Sequence, residues 1–126
     1  MQPYDASYNP PAPVAAVTIR QPDSGVVADS IPILIDTGAD ITLLPRAPLE
    51  NAGLSLASDK LYELVAFDGT RSFAPAVYLE MTFLRRRFKG YYVVIDGTHG
   101  VLGRDVLNHL SVTLDGPHLQ WFEPSS

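Results

Sequence analysis

Apolar residues recur at every second position through much of this chain, the period of a half-buried strand. The clearest stretch sets Val77, Leu79, Met81 and Phe83 alternating with Ala76, Tyr78, Glu80 and Thr82. It predicts a strand over Arg71–Leu84, paired with a second over Leu61–Phe67 through the turn Asp68-Gly69-Thr70. Further strands are expected over Val14–Arg20, which ends at Pro22-Asp23-Ser24-Gly25, and over Phe88–Ile95, which ends at Asp96-Gly97-Thr98. The run Ile31-Pro32-Ile33-Leu34-Ile35 is nearly all apolar, as in a strand buried on both faces. Helical spacing is confined to Arg104–Leu110, where Val106, Leu107 and Leu110 share a face, and to a short Pro48–Leu54 stopping at Gly53. Ser111–Leu114 and Leu119–Phe122 read as a terminal hairpin around Asp115-Gly116-Pro117. The opening residues, ending Pro10-Pro11-Ala12-Pro13, read as an extended arm over 1–13, leaving 14–126 as one all-β domain.

Composition narrows the chemistry. The chain has 126 residues, 46% of them apolar, enough for one domain with a real core. It has no cysteine, which removes disulfides, thiolate nucleophiles and Cys-based metal sites. His99, His109 and His118 lack the spacing of metal ligands, so neither metal nor cofactor is expected. A net charge of −5 argues against a nucleic-acid partner. No run reaches the roughly 18 apolar residues of a spanning helix, and the first residues lack the basic and apolar regions of a signal peptide. A cytoplasmic protein without membrane contact is the expectation. Carboxylates, hydroxyls and backbone remain as agents of chemistry.

The strongest local feature is Ile33-Leu34-Ile35-Asp36-Thr37-Gly38-Ala39-Asp40. A carboxylate stands where a buried strand stops, followed by a small hydroxyl residue and a glycine that lets the backbone turn tightly. Val101-Leu102-Gly103-Arg104-Asp105-Val106 echoes the order of apolar pair, glycine, one residue, aspartate, apolar residue. The two motifs, with a hairpin between them, resemble the retropepsin-like aspartic proteases, the single-domain family that includes the retroviral enzymes.

That resemblance spans roughly Val14 to Leu114 and implies a closed β-barrel with a flap hairpin and one short C-terminal helix. It implies a homodimeric endopeptidase acting on peptides or proteins, because only Asp36 lies in an Asp-Thr-Gly motif while Asp68 and Asp96 lie in the reversed Asp-Gly-Thr. Asp36 would be catalytic, with Thr37, Gly38 and Ala39 supporting its loop. Gly38 and Asp40 would bind substrate backbone, Asp40 would also pair with Arg104, and Phe67, Asp68 and Gly69 would close over the peptide. Ala39 stands where related enzymes carry a hydroxyl that favours the ionised dyad, so the acid limb of activity is expected at higher pH than in those relatives. The alternative is a catalytically silent module of the same fold that dimerises or binds peptides. Trp121 and Phe122 are placed either as anchors of a dimer interface or in the core. The run Arg85-Arg86-Arg87-Phe88-Lys89 reads as a solvated turn.

Overall fold

Strand periodicity is realised along most of the chain in the computed structural model, which describes residues 1–125. The strands are β1 (Gln2–Pro3), β2 (Val14–Arg20), β3 (Val27–Ile35), β4 (Leu43–Pro45), β5 (Leu61–Val65), β6 (Arg71–Phe83), β7 (Arg86–Ile95), β8 (Gly100–Leu102), β9 (Thr113–Asp115) and β10 (Gln120–Phe122). Two short helices, α1 (Arg46–Asn51) and α2 (Arg104–Leu107), follow β4 and β8. The strands β2-β3-β8-β4-β7-β6 run in that order, and β2 also pairs with β6. This closes a six-stranded barrel of the retropepsin-like fold. Closure leaves the barrel with no unpaired edge.

Alternation decides what each strand buries. Ala15, Val17 and Ile19 of β2 turn inward, and so do Ile31, Ile33 and Ile35 of β3 and Val77, Leu79, Met81 and Phe83 of β6. In β3, Pro32 and Leu34 are only half-buried, so this strand covers one face of the barrel fully and the other in part. Its neighbours explain the apolar run: β2 lies antiparallel on one side and β8 parallel on the other.

Several boundaries move for identifiable reasons. Helix α1 begins two residues before Pro48, which sits in the first turn, where a missing N–H breaks no intrahelical bond. Gly53, at φ +97°, ends it as expected. Helix α2 is shorter than Arg104–Leu110, because its continuation closes through tighter bonds, His109 N to Val106 O and Leu110 N to Leu107 O. Only Leu84 and Arg85, both in the left-handed region, make the turn of the basic segment. Arg86, Arg87 and Lys89 therefore stand on strand β7 and not in a loop.

Both ends of the chain join one small sheet. Strands β1, β10 and β9 pair in that order, and Tyr4 N donates to Leu119 O at 2.8 Å. The first residues are thus held against the terminal hairpin. Asp5 and Ala12 then bridge across the intervening loop. Trp121 is core, buried to 3% and packed on Phe83 with ring centroids 5.9 Å apart. Phe122 beside it is half-buried.

Two glycines are demanded by space. A Cβ on Gly100 would lie 2.4 Å from Leu43 O, and one on Gly103 would lie 2.5 Å from the Ile41 carbonyl carbon. Gly103 has φ −94° and ψ −179°, a conformation any residue adopts, so crowding alone excludes a side chain there. Gly103→Ala should lower stability by about 1–3 kcal/mol through overpacking, read as a lower denaturation midpoint at unchanged m-value. Gly90→Ala, where no atom lies within 4 Å of the added Cβ, is the matched control and should cost far less.

Candidate active site

Asp36 follows the last residue of β3, and its backbone N–H donates to Leu102 O at 3.1 Å, prolonging the parallel β3–β8 pairing by one bond. The chain then turns, closed by Ala39 N donating to Asp36 O at 3.2 Å. This turn brings the Gly38 amide onto the carboxylate, 2.9 Å from Asp36 Oδ1. A Cβ at Gly38 would sit 3.1 Å from that same oxygen, so the glycine keeps the approach open. Asp36 is half-buried, while Thr37, Gly38 and Asp40 are exposed. The carboxylate is positioned by the backbone and remains accessible.

The segment after β8 grips this loop from the other side. Arg104 N donates to Ala39 O at 2.9 Å, and its guanidinium Nη1 donates to Thr37 O at 2.7 Å. Beneath them Thr42, buried to 2%, accepts from Gly103 N at 3.1 Å. Its hydroxyl donates to Asp105 Oδ1 at 2.7 Å, and its amide donates to Asp105 Oδ2 at 3.1 Å. Both oxygens of Asp105 are thereby used in holding one threonine. Asp105 also acts on Tyr92: burial first, then this nearby negative charge, pushes the Tyr92 phenol above its ordinary range. The phenol hydroxyl donates to Phe88 O at 2.8 Å.

The expected pairing of Asp40 with Arg104 does not form within the chain. The guanidinium is taken by the Thr37 carbonyl, and Asp40 makes no side-chain hydrogen bond or ion pair among the described residues. Phe67, Asp68 and Gly69 sit at the tip of the β5–β6 hairpin, and no hydrogen bond ties them to the Asp36 loop. The tip is closed by Ala66 N to Thr70 O at 2.9 Å and Gly69 N to Ala66 O at 3.0 Å. Hydrogen bonds from the Thr70 side chain and amide hold the Asp68 carboxyl below its ordinary range. Phe67 is fully exposed. Asp96 pairs with Arg46 at 3.1 Å, far from any catalytic arrangement.

Two members of the clamp, Thr42 and Asp105, carry no role in the sequence reading. The available signal was a lone hydroxyl inside the apolar run Ile41-Thr42-Leu43-Leu44, a position that needs a polar partner once buried. Beside the loop lies an apolar groove of about 200 Å³, lined by Ile35, Thr37, Leu107, Leu110, Val112 and Leu114.

The barrel and the loops carried on β3 and β8 define a retropepsin-like fold. Among solved structures the chain is similar to EIAV protease complexed with the inhibitor HBY-793. That match has a TM-score of 0.51 and 22% identity, and it covers 78% of this chain and 86% of the other. No family model matches the sequence, and no curated protein matches it.

The clamp predicts a specific cost. Thr42→Val keeps the shape but strands the buried Gly103 N–H, while Asp105 Oδ1 keeps its bond from Val106 N at 3.0 Å, so it should destabilise by about 1–3 kcal/mol in chemical denaturation. Combined with Asp105→Asn, the loss should be clearly less than additive, since both changes break one network.

Proposed function

We propose that the chain is one half of a homodimeric aspartic endopeptidase whose active site pairs Asp36 with Asp36 of a second copy. The observation that carries this reading is the Asp36 loop. It presents an accessible carboxylate, oriented by the Gly38 amide at 2.9 Å, and no other carboxylate of the chain hydrogen-bonds to it among the described residues. Hydrolysis by carboxylates needs two that share one proton. One accepts a proton from water as the water oxygen bonds to the scissile carbonyl carbon, while the other gives its proton to the carbonyl oxygen. Collapse of the tetrahedral intermediate then breaks the C–N bond, and the departing amine takes a proton from the pair.

A two-fold arrangement meets that need, because an isologous contact brings the same loop of each copy to the axis. The apolar groove beside Thr37 and Leu107 is the surface this contact would cover, with Thr37 bonding across the axis. Gly38 and Asp40 engage substrate backbone, a role supported by their exposure beside Asp36. The Phe67-Asp68-Gly69 tip closes over the peptide and excludes water.

Incubation with a mixed peptide library at weakly acidic and neutral pH should give cleavage that Asp36→Asn lowers by at least about a thousandfold. No cleavage under conditions where sedimentation shows a dimer would sink the reading, and so would a protein that stays monomeric while cleaving. Ala39→Ser should add a donor to the ionised pair and move the acid limb of the pH–rate profile to lower pH. An unmoved limb would show that residue 39 does not reach the pair.

A further inference from the structure

The outer face of β2, β6 and β7 carries charge of the opposite sign to the molecule. Directly paired residues of neighbouring strands share a face. The registers therefore place Thr18, Thr82 and Arg87 in one row, Arg20, Glu80 and Lys89 in the next, and Tyr78 with Tyr91 in a third. Glu80 is buried at the centre, with its side chain 8% exposed. It lies 3.9 Å from Arg87 Nε and 3.7 Å from Lys89 Nζ. Both cations remain mostly exposed, at 73% and 59%. Lys60 adds a further charge, its Nζ 4.5 Å above the Tyr91 ring. Of the other acids nearby, Asp29 accepts from Thr18 Oγ1 at 3.2 Å, and Asp23 lines a pocket with Tyr78 at the edge of the face. In a chain of net charge −5, this sheet face gathers four cations, Arg20, Lys60, Arg87 and Lys89.

We infer that this face is a docking surface for an extended acidic segment of a protein substrate, and the inference rests on the proteolytic reading for its occupant. Arg87 and Lys89 stand two residues apart on β7, about 6.8 Å along the strand. An extended peptide repeats its same-side residues at that spacing, so alternate carboxylates fall one on each cation. One further step along the same line reaches Tyr91 and Tyr78, which pack edge to face with centroids 5.4 Å apart. Their hydroxyls bond to nothing else in the described chain, and the exposed ring edges accept an apolar residue. The segment that fits reads apolar, any, acidic, any, acidic. A nucleic acid fits less well: the face of Tyr91 is capped by Lys60, which removes the open ring on which a base would stack, and the rest of the surface repels a polyanion.

The test uses the full chain as Asp36→Asn, so that binding is read without cleavage. A fluorescein-labelled peptide Gly-Val-Ser-Glu-Ser-Glu-Ser-Gly should bind in fluorescence anisotropy, more weakly as salt rises, and better than its Gln-for-Glu counterpart. Arg87→Gln with Lys89→Gln should weaken binding by about tenfold. Because those cations also neutralise buried Glu80, Lys60→Glu is the second variant, which leaves both partners of Glu80 in place and should weaken binding comparably. Equal affinity for the two peptides, or affinity unchanged in both variants, overturns the inference. Tighter binding of oligothymidylate than of the acidic peptide overturns it in favour of a nucleic acid. In the enzyme with Asp36 intact, kcat/KM should be higher for a substrate extended by the acidic segment, and Lys60→Glu should remove that advantage while sparing the unextended peptide. Binding without any cleavage leaves the docking face standing and removes the proteolytic reading.

Discussion

Everything at the Asp36 loop depends on a clamp between two crossing segments. Residues 36–42 leave β3, residues 102–105 leave β8, and the two are stitched by backbone, guanidinium, hydroxyl and carboxylate bonds. A loop so near the core must satisfy its polar groups internally, because a buried backbone donor without a partner costs as much as a lost hydrogen bond. Buried Thr42 meets that demand from inside, and the exposed Asp105 carboxylate meets it from the surface. The close approach they require leaves no room for side chains at Gly100 and Gly103. The glycines and the hydrogen bonds are one constraint seen from two sides: without the crossing there would be no crowding, and without the small residues no crossing.

The same constraint gives Arg104 its role. A guanidinium near an exposed aspartate is most simply expected to pair with it, but exposed ion pairs contribute little. Donating to the Thr37 carbonyl at 2.7 Å fixes the Thr37–Gly38 peptide, whose amide meets the Asp36 carboxylate. The arginine thus orients the loop and leaves the Asp40 charge free. A loop built this way is held by its own backbone and by Arg104, while the Asp36 and Asp40 carboxylates stay accessible.

Strands were legible in the sequence because burial on one face writes a two-residue period, which β2 follows throughout and β6 and β7 follow in part. The crossing was legible only as an echo: Leu34-Ile35 and Val101-Leu102 look alike, and in the fold they lie side by side, Leu34 against Val101 and Ile35 against Leu102. Nothing in either segment alone says that they are parallel neighbours, since pairing across such a separation is set by the closure of the whole barrel. Asp36 and Gly38 stood out because a turn signature followed an apolar strand. Thr42 and Asp105 did not, because the bond that satisfies a buried hydroxyl joins two positions distant in sequence. Trp121 was ambiguous for a related reason. Its size suits a core or an interface equally, and only its contact with Phe83 settles that it is core. The proline-rich start reads as an extended arm, and its outermost residues form the edge strand beside β10, a pairing that composition alone does not specify.

Strand β6 connects the rigid and the exposed parts of the molecule. Its thirteen residues pair with β5 at one end and with β2 and β7 at the other. The barrel half buries Val77, Leu79, Met81 and Phe83, whereas Arg71, Ser72 and Phe73 of the hairpin half are exposed, as are nearly all of β5. A hairpin held mainly by its own ladder, a surface ion pair, Arg71 to Glu63 at 3.3 Å, and a few contacts of Ser58 and Lys60 at its base opens at lower free energy than the closed barrel to which it is joined. Because the strand is continuous, the twist of the barrel sets the direction in which the hairpin projects. Leu61, Val65, Phe67 and Phe73 leave it with more apolar surface than its own packing can use. One strand therefore joins a closed, buried barrel to an exposed apolar hairpin, and burial along it changes from one half to the other.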